Sequence, residues 1–135
     1  MRTRSDILVA GLAGAALSGL PSTAYSLISG DDPLDGGRAA GRIVLRRETR
    51  TSRLLAAGAV VHLTISLGWA AVLAALLPRR KEPLSGVAAG IAIAALDLGL
   101  IGRRIPAIRA LPQGRQWADH AAYGLAVGLV LRARR

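Results

Sequence analysis

The segment LLAAGAVVHLTISLGWAAVLAALL, residues 54–77, decides the fold of this chain. It contains 24 consecutive residues without Asp, Glu, Lys or Arg, and His62 is the one titratable side chain in it. A helix needs about 20 apolar residues to cross the roughly 30 Å of hydrocarbon in a bilayer. The segment therefore predicts a transmembrane helix.

Further apolar runs extend this prediction to a four-helix membrane protein. They cover about residues 7–29, 84–102 and 113–131. The last run is short, and we expect its helix to start near residue 113 with Arg115 reaching back to the interface. Because lipid cannot satisfy backbone polar groups, each run must be helical. We predict an all-α fold with a single domain over residues 1–135, a bundle of four transmembrane helices with a basic, partly helical loop between the first two.

The composition excludes several classes of protein. Of the 135 residues, 52% are hydrophobic, which is too much apolar surface for a soluble domain of this size. A formal net charge of +10 would indicate nucleic acid binding in a soluble chain. Here the charges lie between apolar runs, so we expect membrane lipids as partners and no nucleic acid. Another copy of the chain or a larger membrane complex is a further expected partner, and the absence of cysteine excludes thiolate chemistry.

The N-terminal segment has two interpretations. Met1-Arg-Thr-Arg followed by an apolar run fits a secretory signal peptide. The run continues to Ser29 without an A-x-A cleavage site, which favours a first transmembrane helix. Among the 18 basic residues only Lys81 is lysine, a bias typical of a GC-rich bacterial genome. We therefore expect the bacterial inner membrane as the location.

Membrane orientation follows from the number of spans and the loop charges. An even number puts both termini on one side, called side A, together with the turn near Pro78, and puts the other two loops on side B. Side A then has 8 basic residues and side B has 10, so the positive-inside rule gives little preference. We expect cytoplasmic termini because Arg2 and Arg4 flank the first helix. Because the two sides carry similar numbers of basic residues, insertion in both orientations and an antiparallel dimer are further alternatives.

The loop of residues 30–53 carries arginine at every fourth position over part of its length. The residues are Arg38, Arg42, Arg46 and Arg50. Side chains at this spacing lie on one face of a helix, which predicts a basic helix at the membrane interface. Alternatively, the arginines are ordinary topology signals beside a membrane span.

Small residues at four-residue spacing mark the faces through which the helices should pack. They are Gly11, Ala15 and Gly19 in the first span, Gly86, Gly90 and Ala94 in the third, and Gly124 and Gly128 in the fourth. In the second span Gly58, His62 and Ser66 share a face. His120 precedes Gly124 by one turn and Asp97 follows Ala94 by three residues. Polar side chains should therefore point into the bundle.

Two histidines and two aspartates lie within or at the edge of the apolar runs: His62, Asp97, Asp119 and His120. An ionisable residue at membrane depth is costly and indicates a functional site. Connectivity places all four toward side B, where smaller polar side chains should line the same pocket: Ser22, Thr23, Ser26, Ser66 and Tyr123. We expect a pocket open to side B beneath an arginine-rich rim, with the four ionisable residues as candidates for proton transfer.

These residues also have structural interpretations. His62 would bond a neighbouring helix, whereas Asp119 and His120 would cap the fourth helix. Interface or packing roles are expected for the two tryptophans, Trp69 and Trp117. Asp97 is the hardest to interpret in this way, since a carboxylate between two leucines must be protonated, paired or hydrated.

The residue set supports proton transfer better than metal binding. No HxxxH or HxxE pair occurs, so we expect no metal site and no cofactor, and the sequence lacks phosphate-binding and GxSxG motifs. Three functions stay open. The first is a transport or membrane-complex accessory protein that uses the buried Asp/His layer. The second is a membrane-embedded acid/base enzyme, of isomerase or cyclase type, with an apolar substrate. The third is a purely structural subunit. The small size of the chain favours the first or the third.

Overall fold

The computed structural model describes residues 2–134, and most of this range is helical. Its α-helices are α1 Arg4–Leu17, α2 Leu20–Ser29, α3 Asp35–Gly41, α4 Thr51–Leu76, α5 Glu82–Leu96, α6 Pro106–Arg109 and α7 Gln113–Ala133. A π-helical turn, Asp97–Ile101, and a 3₁₀ turn, Gly102–Arg104, continue α5. Residues 2–134 contain no β-strand, which confirms the all-α prediction. Met1 and Arg135, which belong to the expectations on the N-terminus and on side A, lie outside the described residues.

Three helical stretches are long and apolar enough to cross a membrane. They are Arg4–Ser29, which comprises α1 and α2, Thr51–Leu76 and Glu82–Arg104. Large apolar side chains point outward along them, as the exposed Leu12, Val60 and Ile91 show. Soluble monomers rarely expose contiguous apolar surface of this extent. These helices therefore indicate a membrane protein.

The fourth apolar run forms α7, but this helix is not among the three. It begins at Gln113, as expected, and contains Asp119 and His120 in its first half. α7 packs against α1, α2 and α5, and its buried residues include Val127 and Leu131. These contacts bury one side of α7, whereas Leu125 and Leu129 are exposed on the other.

The first apolar run forms two helices rather than one. α1 ends at Leu17, and α2 begins at Leu20 with Pro21 in its second position. Proline fits the first turn of a helix because that N–H has no intrahelical acceptor. The helix therefore breaks just before Pro21. The backbone N–H of Ser22, in the first turn of α2, bonds a side chain of α7.

The basic helix predicted in the loop is shorter than the arginine pattern suggested. Of the four regularly spaced arginines only Arg38 lies within α3. α3 packs backbone to backbone on α4, since a Cβ at Gly58 would overlap the carbonyl oxygen of Gly37. Glycine has low helix propensity, and α3 ends at Gly41. The loop is thus partly helical, as expected, but its helix lies on α4.

The glycines of α5 and α7 interlock along two antiparallel helices. A Cβ on any of three glycines would overlap a backbone carbonyl oxygen of the facing helix: Gly86 with Gly124, Gly90 with His120, and Gly128 with Glu82. The small-residue rows predicted for the third and fourth spans are confirmed by these contacts. In the first span Gly11 and Gly14 make close contacts, whereas Gly19 has nothing within 4 Å because the helix breaks there.

Ion pairs tie the end of the bundle that carries the chain termini, called the termini end below. Arg2 Nη2 lies 2.8 Å from Glu82 Oε1, and the same guanidinium donates to carbonyl oxygens at the end of α4. Arg134 Nε lies 3.0 Å from Asp6 Oδ1. The starts of α1 and α5 therefore meet the ends of α4 and α7 here. The opposite end, side B of the sequence analysis, is called the cavity end.

Candidate functional site

A cavity of about 760 Å³ lies at the cavity end, between α2, α4, the π-helical turn and α7. Its volume falls within the range of small-molecule sites, roughly 300–1,000 Å³. The nine residues that the sequence predicted for the site all line it: Ser22, Thr23, Ser26, His62, Ser66, Asp97, Asp119, His120 and Tyr123. Residues 31–37 and 101–112 contribute much of the remaining lining. The structure therefore brings the predicted set together in one place.

The carboxylate of Asp97 and the imidazole of His120 face each other on the cavity wall. Asp97 Oδ2 lies 3.5 Å from His120 Nε2 and accepts a hydrogen bond of 3.3 Å from the indole Nε1 of Trp69. His120 Nδ1 lies 2.8 Å from the backbone carbonyl oxygen of Gln116. A carbonyl oxygen only accepts, so Nδ1 is the donor, and in neutral His120 the lone pair is on Nε2, facing Asp97. One proton can therefore reside on either member of the pair.

Asp97 lies at the point where the helix type changes. It opens the π-helical turn Asp97–Ile101 at the end of α5. A π turn contains one more residue than an α turn, so the side chains beyond it are rotated relative to a regular α-helix, and such turns are frequent at functional sites. Here Leu98 is buried, whereas Asp97 is partly exposed to the cavity. Both residues line the cavity at the start of the π turn, the carboxylate as its polar part and Leu98 as its apolar part.

His62 lines the same cavity but is bonded to a different helix. Its Nε2 lies 3.0 Å from the carbonyl oxygen of Ala15 and 3.4 Å from Ser18 Oγ, where α1 ends. The ring therefore links α4 to α1. This is the helix-bridging role that the sequence offered as the structural interpretation of His62.

Asp119 caps a helix, although not the helix expected from the sequence. Its Oδ1 accepts a hydrogen bond of 2.9 Å from the backbone N–H of Ser22. Ser22 lies in the first turn of α2, where backbone N–H groups have no intrahelical acceptor. Asp119 therefore caps α2 across the cavity end. The structural interpretation in which Asp119 and His120 cap the fourth helix is therefore wrong. Asp119 accepts a hydrogen bond from α2, and His120 bonds the backbone of Gln116 within α7.

The smaller polar residues lie at different depths. Ser26, Ser66 and Tyr123 are buried, whereas Thr23 is exposed. The Tyr123 hydroxyl donates to the backbone carbonyl oxygen of Ser66, which joins α7 to α4 beneath the cavity. Hydroxyl groups therefore line the cavity from its mouth to its floor.

Trp69 and Arg115 are site residues that the sequence analysis did not identify. Trp69, interpreted there as an interface or packing aromatic, bonds Asp97. Its spacing was informative, since residues 62, 66 and 69 share one helical face. Arg115 Nη2 lies 2.6 Å from Asp31 Oδ2, and its guanidinium lies 3.9 Å above the centre of the Tyr25 ring. Arg115 lies one turn before Asp119 on α7, a spacing that also places it toward the cavity.

The mouth of the cavity differs from the arginine-rich rim that the sequence predicted. Among the described residues Arg115 is the one basic side chain in the lining. It holds the segment after α2 to the start of α7 through Asp31. Hydrogen bonds from Arg115 and from the Ser29 hydroxyl stabilise the charged carboxylate and hold the pKa of Asp31 below its usual value. The lining of the mouth therefore contains one arginine among acidic and polar side chains.

Within residues 2–134, no three His, Asp or Glu side chains are grouped closely enough to hold a metal ion. Comparison of the chain with protein-family models, curated proteins and solved structures finds no match. The proposed function accordingly depends on the cavity and the groups that line it.

Proposed function

We propose that this protein is a bacterial inner-membrane protein with four transmembrane helices and cytoplasmic termini. We propose further that it binds a small molecule in the cavity and exchanges a proton for it during transport. The observation that carries the proposal is the Asp97 and His120 pair on the wall of a ligand-sized cavity. A carboxylate and an imidazole that share one proton form a group that can gain or lose that proton as a unit.

The geometry supports α7 as the fourth span. Its 21 residues correspond to about 31 Å at 1.5 Å per residue, close to the thickness of the hydrocarbon core. Its Arg115, Asp119 and His120 line the cavity, while Leu125 and Leu129 are exposed on its outer side. Polar groups at membrane depth are tolerated where they face a bundle interior. The low apolar content of α7 is therefore compatible with a membrane-spanning position.

The pair suits storage of a proton better than catalysis by an acid and a base. An isomerase removes a proton at one substrate atom and returns it at another, which favours separate groups on different sides of the substrate. Asp97 and His120 instead contact each other, and His62 is bonded to the end of α1. The pair therefore acts as one unit that changes charge by one when a proton binds or leaves.

An experiment on the two histidines tests the shared proton. The chain has His62 and His120 only, so ¹⁵N-histidine labelling in lipid nanodiscs gives two separable sets of ring signals. We expect His120 to keep its Nδ1 proton while the protonation of Nε2 changes with pH. Asp97→Asn should change the pH dependence of the His120 ring signals and leave the ring signals of His62 as they are in the wild type. A His120 titration that is identical in the wild type and in Asp97→Asn would show that the two groups share no proton.

A second candidate function, the acid/base enzyme, is favoured by the one-sided position of the cavity. The described lining residues belong to the cavity end, whereas the termini end is packed and tied by ion pairs. Once a ligand is known, proteoliposomes distinguish the two functions. A transporter accumulates the unchanged molecule when a pH gradient is applied, whereas an enzyme converts it without accumulation.

A further inference from the structure

The charges of this chain are distributed unevenly around the cavity. The sequence has 18 basic and 8 acidic residues. Among the described residues, five acidic side chains line the cavity, whereas Arg115 is the one basic side chain that does so. The acidic residues are Asp31, Asp32, Asp35, Asp97 and Asp119. A strongly basic protein thus has a cavity with an excess of carboxylates.

The carboxylates at the mouth and those deeper in the cavity have different partners. Asp32 and Asp35 are each 2.5 Å from the guanidinium of Arg38, and Asp31 is bonded to Arg115. Asp97 instead contacts the Trp69 indole and His120, as described above. Asp119 accepts from a backbone N–H. Within residues 2–134, no arginine or lysine forms an ion pair with either of the two deeper carboxylates.

The wall around these two carboxylates is largely apolar and aromatic. Trp69 and Tyr123 line the cavity together with Ile65, Ile93 and Leu98. Aromatic faces attract cations, and the attraction strengthens when water is excluded. Electrostatic attraction to carboxylates is also stronger in such surroundings than in water. The cavity therefore combines the two features that recognise a cation with an apolar body.

We propose that the molecule bound in the cavity is an amphiphilic organic cation, an amine or ammonium compound with an apolar or aromatic body. This inference rests on the proposed function, since the cation replaces the exchangeable proton of the Asp97 and His120 pair. The exchange is balanced in charge. The cation enters, the proton leaves the pair for solvent, and no covalent bond other than the bond to that proton changes.

Several other polar and charged groups lie near the Asp97 and His120 pair. Trp69 on α4 donates to Asp97, and Asp119 lies next to His120 on α7. His62 lines the cavity from α4, and Arg115 closes the mouth from the start of α7. Among these, Asp119 favours a bound cation and Arg115 opposes it. Because Arg115 is bonded to Asp31, its charge is largely balanced by that carboxylate.

Titration calorimetry on the purified full chain tests the proposal with two probes of equal shape and opposite charge. Tetraphenylphosphonium is the cationic probe and tetraphenylborate is the anionic one. We expect the cation to bind and to release about one proton, which buffers of different ionisation enthalpy reveal. Its affinity should fall about tenfold per pH unit once the pair is protonated. The anion should bind at least about tenfold more weakly at every pH.

Two substitutions that each remove one negative charge sharpen the test. Asp97→Asn should weaken cation binding by about tenfold or more and abolish proton release. Glu48→Gln is the matched control, since Glu48 is paired with Arg53 outside the cavity lining, and it should change neither quantity. If Asp97→Asn does not fold, the pH dependence and proton release of the wild type still decide the question.

Each outcome bears on a different proposal. Equal or tighter binding of tetraphenylborate, or no binding of either probe, would overturn the inference of a cationic ligand. Proton uptake with tighter binding of the anion would leave a proton-coupled cavity standing while refuting the cation. Cation binding without proton release at any pH would instead refute the exchange on which both proposals depend.

Discussion

At the termini end, the carboxylates of Asp6 and Glu82 each bond an arginine. At the cavity end, Asp97 and Asp119 face a histidine, an indole and a backbone N–H around a volume of about 760 Å³. Both pairs of acidic residues belong to helices of the same bundle. They differ in whether an arginine pairs with the carboxylate.

We therefore expect ionisable residues to have two roles in this small protein, stabilisation at the termini end and binding at the cavity end. At the termini end Leu73, Leu77, Val127 and Leu131 pack into the core, and ion pairs close the bundle around them. Substitutions there should reduce stability. At the cavity end the helices are held apart, and the polar groups are left in contact with a space that a ligand can fill. Substitutions there should change binding and proton exchange more than stability.

The largest effect is expected from adding one methyl group at opposite ends of α7. A Cβ at Gly128 would overlap the Glu82 backbone, whereas a Cβ at Gly114 meets nothing within 4 Å. We expect Gly128→Ala to lower the free energy of unfolding by about 3 kcal/mol, since overpacking against backbone is poorly relieved. Gly114→Ala should be neutral or stabilising by up to about 1 kcal/mol, because alanine favours the helix. Thermal unfolding in detergent measures both.

The same pair of variants can break the comparison. If Gly128→Ala and Gly114→Ala unfold at the same temperature, α5 and α7 are not held together by backbone contact at the termini end. The distinction between a packed end and an open end would then have no energetic basis.

A smaller loss is expected when the ion pair at the termini end is broken. Arg2→Met removes the contact with Glu82 and the hydrogen bonds to the last carbonyl oxygens of α4. We expect a loss of about 2 kcal/mol, below the value for a fully buried pair because Arg2 is partly exposed. Thermal unfolding in detergent measures the loss. Unfolding of Arg2→Met at the wild-type temperature would refute this account.

Residue spacing predicted much of the site because it reports which side chains share a helical face. The spacing of Asp97 from Ala94 and of His120 from Gly124 predicted that both point toward the interior, and both line the cavity. Contacts between helices were less predictable. The bond from Trp69 to Asp97 joins residues 28 positions apart and depends on how far each helix is rotated about its axis. Periodicity along one helix contains no information on that rotation.

The length of α3 shows a second limit of the sequence pattern. Arginine at every fourth position predicted a helix through Arg50, but α3 ends at Gly41. The decisive contact is the close approach of α3 to α4 at Gly58, which fixes the short helix on its neighbour. A regular spacing of charges indicates which residues could share a face. It does not indicate whether the backbone stays helical over that length.

The smallest effect on stability is expected at the mouth of the cavity, where Arg115 bonds Asp31. The pKa of Asp31 is lowered in the folded protein. The contact therefore stabilises the folded state fully at pH values above the ordinary aspartate pKa, and this stabilisation is lost as the pH falls through the lowered pKa. Carboxyl ¹³C NMR of Asp31 should therefore show a midpoint below that of an unpaired aspartate. Arg115→Gln should raise this midpoint toward the ordinary value.

The stability of Arg115→Gln completes the comparison between the two ends. Exposed ion pairs contribute at most about 1 kcal/mol, so the variant should unfold within a few degrees of the wild type. Arg2→Met, which removes an arginine at the termini end, should unfold at a clearly lower temperature. If Arg115→Gln were the less stable of the two, the mouth would be holding the bundle together. The cavity end would then have a structural role. The ion pair of Asp31 with Arg115 would stabilise the bundle, as the ion pair of Arg2 with Glu82 does at the termini end.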